Sequence, residues 1–224
     1  TTQNDPYTLH QNMIFDLSKK IEMHDPKDAL TGRDQSLTVS PKHYVNGQDV
    51  QEPYPRECKE LHVAMGCFWG AEKLFWQQHG VYSTSVGYIG GYTKNPTYQE
   101  VCSGNTGHTE AVLVVYDPAM VLLRELLRIF WEGHDPTEYM RQGNDIGTQY
   151  RSAIFFSDEI TLDLINQTKS EYQERLTEFG RDSIVTEIKP LEEFFFAEDY
   201  HQQYLAKNPN GYCGLGGTGV FLEG

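Results

Sequence analysis

An α+β fold is the architecture this sequence predicts, and three observations predict it. Between Leu61 and Ser157, short apolar runs with strand character alternate with runs of helical spacing, in the order βαββαβ. On either side the chain is polar or glycine-rich and has little periodicity. The whole is 224 residues long, enough to bury a sizeable core without disulfide or metal staples. This element order is the signature of a split βαβ, ferredoxin-like two-layer plait with both helices on one face of the sheet.

The elements follow in order. Residues 1–60 carry turn formers such as "NDP", "HDP", "TGRD" and "VNGQD" and are expected to form an N-terminal extension that wraps the domain or stays partly mobile. "LHVAM" reads as a strand, Trp69 to Gln78 as a helix and "VYSTSVGYI" as a strand. "EAVLVVYD" is a strand ended by Asp117-Pro118, "VLLRELLRIFW" has the apolar spacing of a helix, and "YRSAIFFS" closes the pattern as a strand. A helix over Asp158 to Phe179, a short strand "SIVTEI" and a short helix around "AEDYHQQYLA" are expected next, followed by the Gly-rich coil "KNPNGYCGLGGTGVFLEG".

Charge and hydropathy narrow the function. Acidic residues outnumber basic ones by 32 to 18, a formal charge of −14 that disfavours nucleic acid and anionic membrane surfaces as partners. No apolar run reaches membrane-spanning length, and "TTQNDPYTLHQNMIFDLSKK" lacks the apolar core of a secretion signal. The expected location is intracellular: the cytoplasm, or an organelle where a targeting segment has been removed. The four cysteines, Cys58, Cys67, Cys102 and Cys213, show no CxxC spacing, which disfavours a disulfide scaffold or a zinc site.

Cys67 stands out, because "GCFWG" places it where a strand gives way to a helix. Unpaired N–H groups and the macrodipole at a helix N-terminus favour a thiolate, so a lowered pKa and a nucleophilic role are expected. The competing expectation is a small buried side chain in a packed turn. Phe68 and Trp69 would either join the core or wall an apolar pocket beside the thiol, whereas Phe75 and Trp76 have core spacing. Glu110 opens an apolar strand, where it would be either an exposed strand-end carboxylate, the commoner case, or a partly desolvated one whose raised pKa makes it a proton donor. "GGYTKNPTYQE" supplies Tyr92 and Tyr98, and "MRQGNDIGTQYRS" supplies Asp145, Tyr150 and Arg151.

"GCFWGAE", "GYTKNPTYQEVCSGNTGHTEAV", "HDPTEYMRQGNDIGTQYRSAI" and "AEDYHQQYLAKNPNGYCGLGGTG" together resemble the A class of peptide methionine sulfoxide reductases, in order, over roughly residues 60 to 219. The resemblance implies a catalytic domain over residues 61–224. It makes Cys67 the nucleophile, Phe68 and Trp69 the cradle of the substrate methyl group, and Glu110, Tyr98 and Tyr150 the surroundings of the sulfoxide oxygen. Asp145 would help order the site and Cys213 would be the resolving cysteine. It further implies specificity for the S epimer, no bound cofactor, and thioredoxin, or dithiothreitol in vitro, as reductant. Free methionine sulfoxide and oxidised proteins would be the substrates, and the expected state is a monomer. No cysteine follows Cys213, so reductant would attack a disulfide involving Cys213 directly unless Cys58 or Cys102 relays; both are expected to be inert.

Two rival readings compete with this one. A cysteine hydrolase would pair Cys67 with His108, His134 or His201, and a recognition module would bind methionine in an aromatic pocket without consuming thiols. "GLGGTG" satisfies the dinucleotide fingerprint in letters alone, because it follows no strand and opens no helix. The sequon at Asn166 falls in an expected helix.

Overall fold

In the computed structural model, which describes residues 20–222, the apolar runs become strands of one mixed sheet. The first part of the expected extension, residues 1–19, and the end of the tail, residues 223–224, lie outside the described residues. The strands are β1 (Lys59–Met65), β2 (Val81–Ile89), β3 (Thr109–Tyr116), β6 (Ser152–Phe156), β7 (Glu187–Pro190) and β8 (Phe195–Phe196), in the spatial order β7-β6-β1-β3-β2-β8. Every neighbouring pair is antiparallel except β6 with β7. A separate two-stranded hairpin joins β4 (Arg141–Gln142) to β5 (Asp145–Ile146).

Strand alternation separates two faces. Leu61, Val63 and Met65 of β1, Val112 and Val114 of β3, Val86 and Tyr88 of β2 and Ile154 of β6 enter the main core. Ala64, Ile89, Ala111, Ala153 and Phe155 form a smaller cluster with Phe194. The helices supply the rest of the main core. Helix α1 (Phe68–Trp76) buries Phe68, Ala71 and Phe75 at helical spacing. After the short α2 (Tyr98–Cys102), α3 (Leu123–Gly133) buries Leu126, Leu127, Phe130 and Trp131, each worth about 1.5–3 kcal/mol of apolar burial. Helix α4 (Glu159–Glu178) is capped by Asp158, whose side chain accepts from Thr161 N at 2.7 Å, and its Thr168 hydroxyl receives the Trp131 indole N–H at 3.0 Å. The last helix is α5 (Tyr204–Lys207), beyond which no regular element occurs through residue 222.

Three expectations change. The strand expected from Ser183 begins only at Glu187, because Ile184 N donates to Gln173 Oε1 (2.7 Å) and Val185 N to the Pro136 carbonyl (2.8 Å) before pairing with β6 starts. The helix expected over "AEDYHQQYLA" is broken into a 3₁₀ turn (Asp199–His201) and α5, because Gln203 between them adopts a left-handed φ of 49°. Helix α2 was not expected. Thr97 and Glu100 form its capping box, with Glu100 N donating to Thr97 Oγ1 and Thr97 N to Glu100 Oε2.

Candidate active site

Cys67 is the N-cap of α1, 8 % exposed, and uses no side-chain cap bond. Gly66 before it has φ +91°, and a Cβ there would lie 2.6 Å from Gln142 Cγ, so this turn requires glycine. The backbone N–H groups of Trp69 and Gly70 face the sulfur and favour its thiolate, as expected of a helix N-terminus. They do not prevail. Burial is the largest influence and the nearby Glu110 adds to it, so the Cys67 pKa is raised rather than lowered, contrary to the sequence expectation. In the resting site the sulfur is a thiol.

Glu110 lies on β3 two residues before Val112, on the helix-bearing face, and opposite Tyr88 in the register. Its side chain is buried and accepts the Phe68 backbone N–H at 3.0 Å. Burial raises its pKa to about 8 against the lowering effect of that hydrogen bond, and the charge of Asp145 pushes in the same direction as burial. A neutral carboxylic acid therefore stands one residue from the nucleophile at neutral pH.

The other expected residues converge on this pair. Tyr98 opens α2, and Tyr150 ends the 3₁₀ turn Thr148–Tyr150. Burial chiefly raises both hydroxyls, and Glu110 raises them further. Asp145, on β5, is half-buried, and its carboxyl oxygens lie 3.4 Å from the Tyr212 hydroxyl, which donates to them. Cys213 is exposed, yet its sulfur would sit 3.0 Å from a Cβ at position 70. Gly70 therefore lets the tail reach the first turn of α1. Phe68 points into the core against Tyr88, whereas Trp69 is only partly buried. The described cysteines are all free. Cys102 interacts with the Tyr98 side chain in α2, whereas Cys58 precedes β1, about 20 Å from its far end at Met65.

Several site residues escaped the sequence reading. The Trp69 indole N–H donates to His201 Nδ1 at 2.9 Å, and its ring stacks on Tyr204 with centroids 3.9 Å apart. The His201 ring also packs against Tyr98 at 4.5 Å. Since Nδ1 accepts, neutral His201 carries its proton on Nε2, which has no hydrogen-bond partner among the described residues and lies 4.0 Å from Glu198 Oε2. Glu198 in turn accepts from Tyr98 N (2.7 Å) and the Tyr88 hydroxyl (2.9 Å). The available signal was the three-residue spacing of His201 and Tyr204 within the motif "AEDYHQQYLAKNPNGYCGLGGTG". The hydrolase reading finds no base. His108 is committed to Gly91 N and the Thr93 carbonyl, His134 to the Phe130 carbonyl and Ser152, and His201 to Trp69. Among the described residues, no group of three or more His, Cys, Asp or Glu is placed to hold a metal ion, and no helix is long and apolar enough to cross a membrane.

A buried thiol at a helix N-terminus beside a buried acid and aromatic rings fits a thiol-dependent oxidoreductase. The comparisons with known proteins are more specific. The family model for peptide methionine sulfoxide reductase matches residues 59–218. Peptide methionine sulfoxide reductase MsrA 1 of Synechocystis is 56 % identical over 208 residues, covering 92 % of this chain and 94 % of its own. Peptide methionine sulfoxide reductase MsrA of Vibrio vulnificus is 57 % identical over 204 residues, covering 91 % and 97 %. Among solved structures, methionine sulfoxide reductase A of Corynebacterium diphtheriae aligns with a TM-score of 0.77 at 44 % identity over 86 % of this chain and 93 % of that one. Reduced Mxr1 from Saccharomyces cerevisiae aligns at 0.67 and 35 % identity over 77 % and 96 %. The chain belongs to the peptide methionine sulfoxide reductase family, in its MsrA class, and is an oxidoreductase.

Proposed function

We propose that this chain reduces the S epimer of methionine sulfoxide, free or in proteins, through a Cys67 sulfenic acid that Cys213 converts to a disulfide. The observation that carries the reading is the buried, neutral Glu110 hydrogen-bonded to the residue after Cys67. A sulfoxide sulfur is a poor electrophile until its oxygen is protonated. Glu110 gives its proton to that oxygen and takes the proton of the Cys67 thiol, so that the nucleophile ionises as the electrophile is activated. Tyr98 and Tyr150 add hydroxyl donors toward the same oxygen. Trp69, with Phe68 behind it, receives the methyl group, and Asp145 helps order the loop with Tyr212.

Attack of the sulfur of Cys67 on the sulfoxide sulfur transfers oxygen to the enzyme, leaving methionine and a sulfenic acid. Cys213 then condenses with the sulfenic acid, forming the S–S bond and releasing water. A dithiol, thioredoxin in a reducing cellular compartment or dithiothreitol in vitro, restores both thiols. The same reading treats β6-β1-β3-β2, with α1 and α3 as the intervening helices, as a ferredoxin-like plait within a catalytic domain over residues 61–224, and residues 1–60 as an extension of a monomer. Turnover of racemic N-acetylmethionine sulfoxide with dithiothreitol, followed on a chiral column, tests it. Consumption of the S epimer alone is expected, and consumption of neither or of both overturns it.

A further inference from the structure

Glu72 is a fully buried carboxylate on α1, away from the reacting thiol, and three donors converge on it. Thr84 Oγ1 donates to Oε1 at 2.9 Å, Gln203 Nε2 donates to Oε1 at 2.8 Å, and Gln203 N donates to Oε2 at 2.8 Å. The directions of these bonds are fixed by their neighbours. Tyr44 N donates to Gln203 Oε1, so the amide must present its NH₂ group to Glu72 and to the Thr84 carbonyl. His43 Nδ1 accepts from Val45 N and Asn46 N, so the neutral ring carries its proton on Nε2 and donates to Thr84 Oγ1 at 2.9 Å. The chain therefore runs one way, from His43 through Thr84 to Glu72.

Besides Thr84 of β2, this network joins three segments distant in sequence. His43 and Tyr44 belong to the N-terminal segment, Glu72 to the helix whose N-cap is Cys67, and Gln203 to the strap that carries His201 and Tyr204. Gln203 is held in a left-handed conformation that non-glycine residues seldom adopt, and both of its bonds to Glu72 form in that conformation. Two rings of the strap, His201 and Tyr204, hold Trp69, by hydrogen bond and by stacking.

We propose that Glu72 is a positioning residue for the methyl-binding pocket, clamping the strap through Gln203 so that His201 and Tyr204 fix Trp69, and that the N-terminal segment completes the clamp through His43 and Thr84. The proposal rests on Trp69 serving as the pocket wall. Replacing Glu72 by Gln turns one acceptor into a donor that must face either the Gln203 backbone N–H or the Thr84 hydroxyl and Gln203 NH₂ group, all of them donors, so the isosteric change is not neutral. Replacing Thr84 by Val removes the relay hydroxyl, whereas Ser retains it.

Single-turnover methionine release, measured against sulfoxide concentration, gives the half-saturating concentration separately from the limiting rate. Trp69 emission is isolated by comparing each variant with its Trp69→Phe counterpart. Glu72→Gln and Thr84→Val are expected to raise the half-saturating concentration about tenfold, with a much smaller change in limiting rate, and to red-shift Trp69 emission, while Thr84→Ser restores both. If either folded variant loses thermal stability but keeps the wild-type half-saturation and emission, the role is merely structural and the proposal falls. Should Glu72→Gln fail to fold, the Thr84 pair decides. Failure of wild-type protein to reduce the sulfoxide would instead sink the functional reading, and Trp69 emission, which needs no substrate, would still decide the clamp.

Discussion

The first turn of α1 and the tail around Cys213 each present a sulfur to the same site, and they are built in opposite ways. Cys67 is buried, sits between a strand and a helix, and is surrounded by groups already hydrogen-bonded to one another. Cys213 is exposed, on a stretch without helix or strand, and reaches the first turn only because position 70 has no side chain. The difference separates two demands. In the proposed reaction, attack by Cys67 on a sulfoxide needs fixed geometry and a dry environment, whereas closing a disulfide through Cys213 and handing it to a reductant needs a sulfur that can be reached.

The largest break in this contrast is on the rigid side. Glu110→Gln still accepts the Phe68 N–H but cannot give up a proton, and single-turnover methionine release should fall by about 10²–10⁴-fold while Cys67 stays alkylatable. In the wild type that rate should decline as pH rises through about 8, when Glu110 ionises; this decline should vanish from the residual rate of the variant. Near wild-type release by the variant would remove Glu110 as the acid. A stability signature has the same origin. The folded pKa of Glu110 is raised, so its favourable contribution is full below the unfolded carboxyl value near 4.5 and is lost as pH rises through about 8. Glu72, raised to about 7, acts with the same sign, so Glu110→Gln should flatten only part of the slope in thermal unfolding between those pH values.

On the exposed side the effects are smaller and fall later in the proposed cycle. Cys213→Ser should release about one methionine per enzyme without added thiol and leave a sulfenic acid that dimedone labels. A disulfide between Cys67 and Cys58 or Cys102 in that variant would reassign the resolving thiol. The smallest effect should come from Gly70→Ala, whose Cβ meets the sulfur of Cys213 and Leu215 Cβ at 3.0 Å. Methionine release should be nearly unchanged and disulfide formation slowed several-fold. Equal rates of disulfide formation in the two proteins would show that the tail does not need the close approach.

The central strands and long helices were legible because their apolar periodicity reports a sheet face or a helix stripe directly: Val112 and Val114 on β3, or Leu126, Leu127, Phe130 and Trp131 on α3. The sequence marked Cys67 and Glu110 and anticipated the raised carboxyl of Glu110, but not the electrostatic balance at Cys67. A helix N-terminus is visible in sequence, whereas the burial that outweighs it is a property of packing. The link of His201 to Trp69, Tyr204, Glu198 and the Glu72 network were hidden for the same reason. Their partners lie far away along the chain, as with Gln203 and Glu72, 131 residues apart, and the left-handed Gln203 that brings them together interrupts a pattern that reads as one helix.

The protonated resting state of Cys67 has a consequence beyond the reaction itself. Peroxides oxidise thiolates far more readily than thiols. On the mechanism proposed above, a sulfur that ionises only when a sulfoxide arrives to accept the proton from Glu110 would be shielded from the oxidants that create its substrate. Such an enzyme would keep working through an oxidative burst rather than being spent by it, and its selectivity between damaged methionine and the damaging agent would lie in when its nucleophile becomes charged.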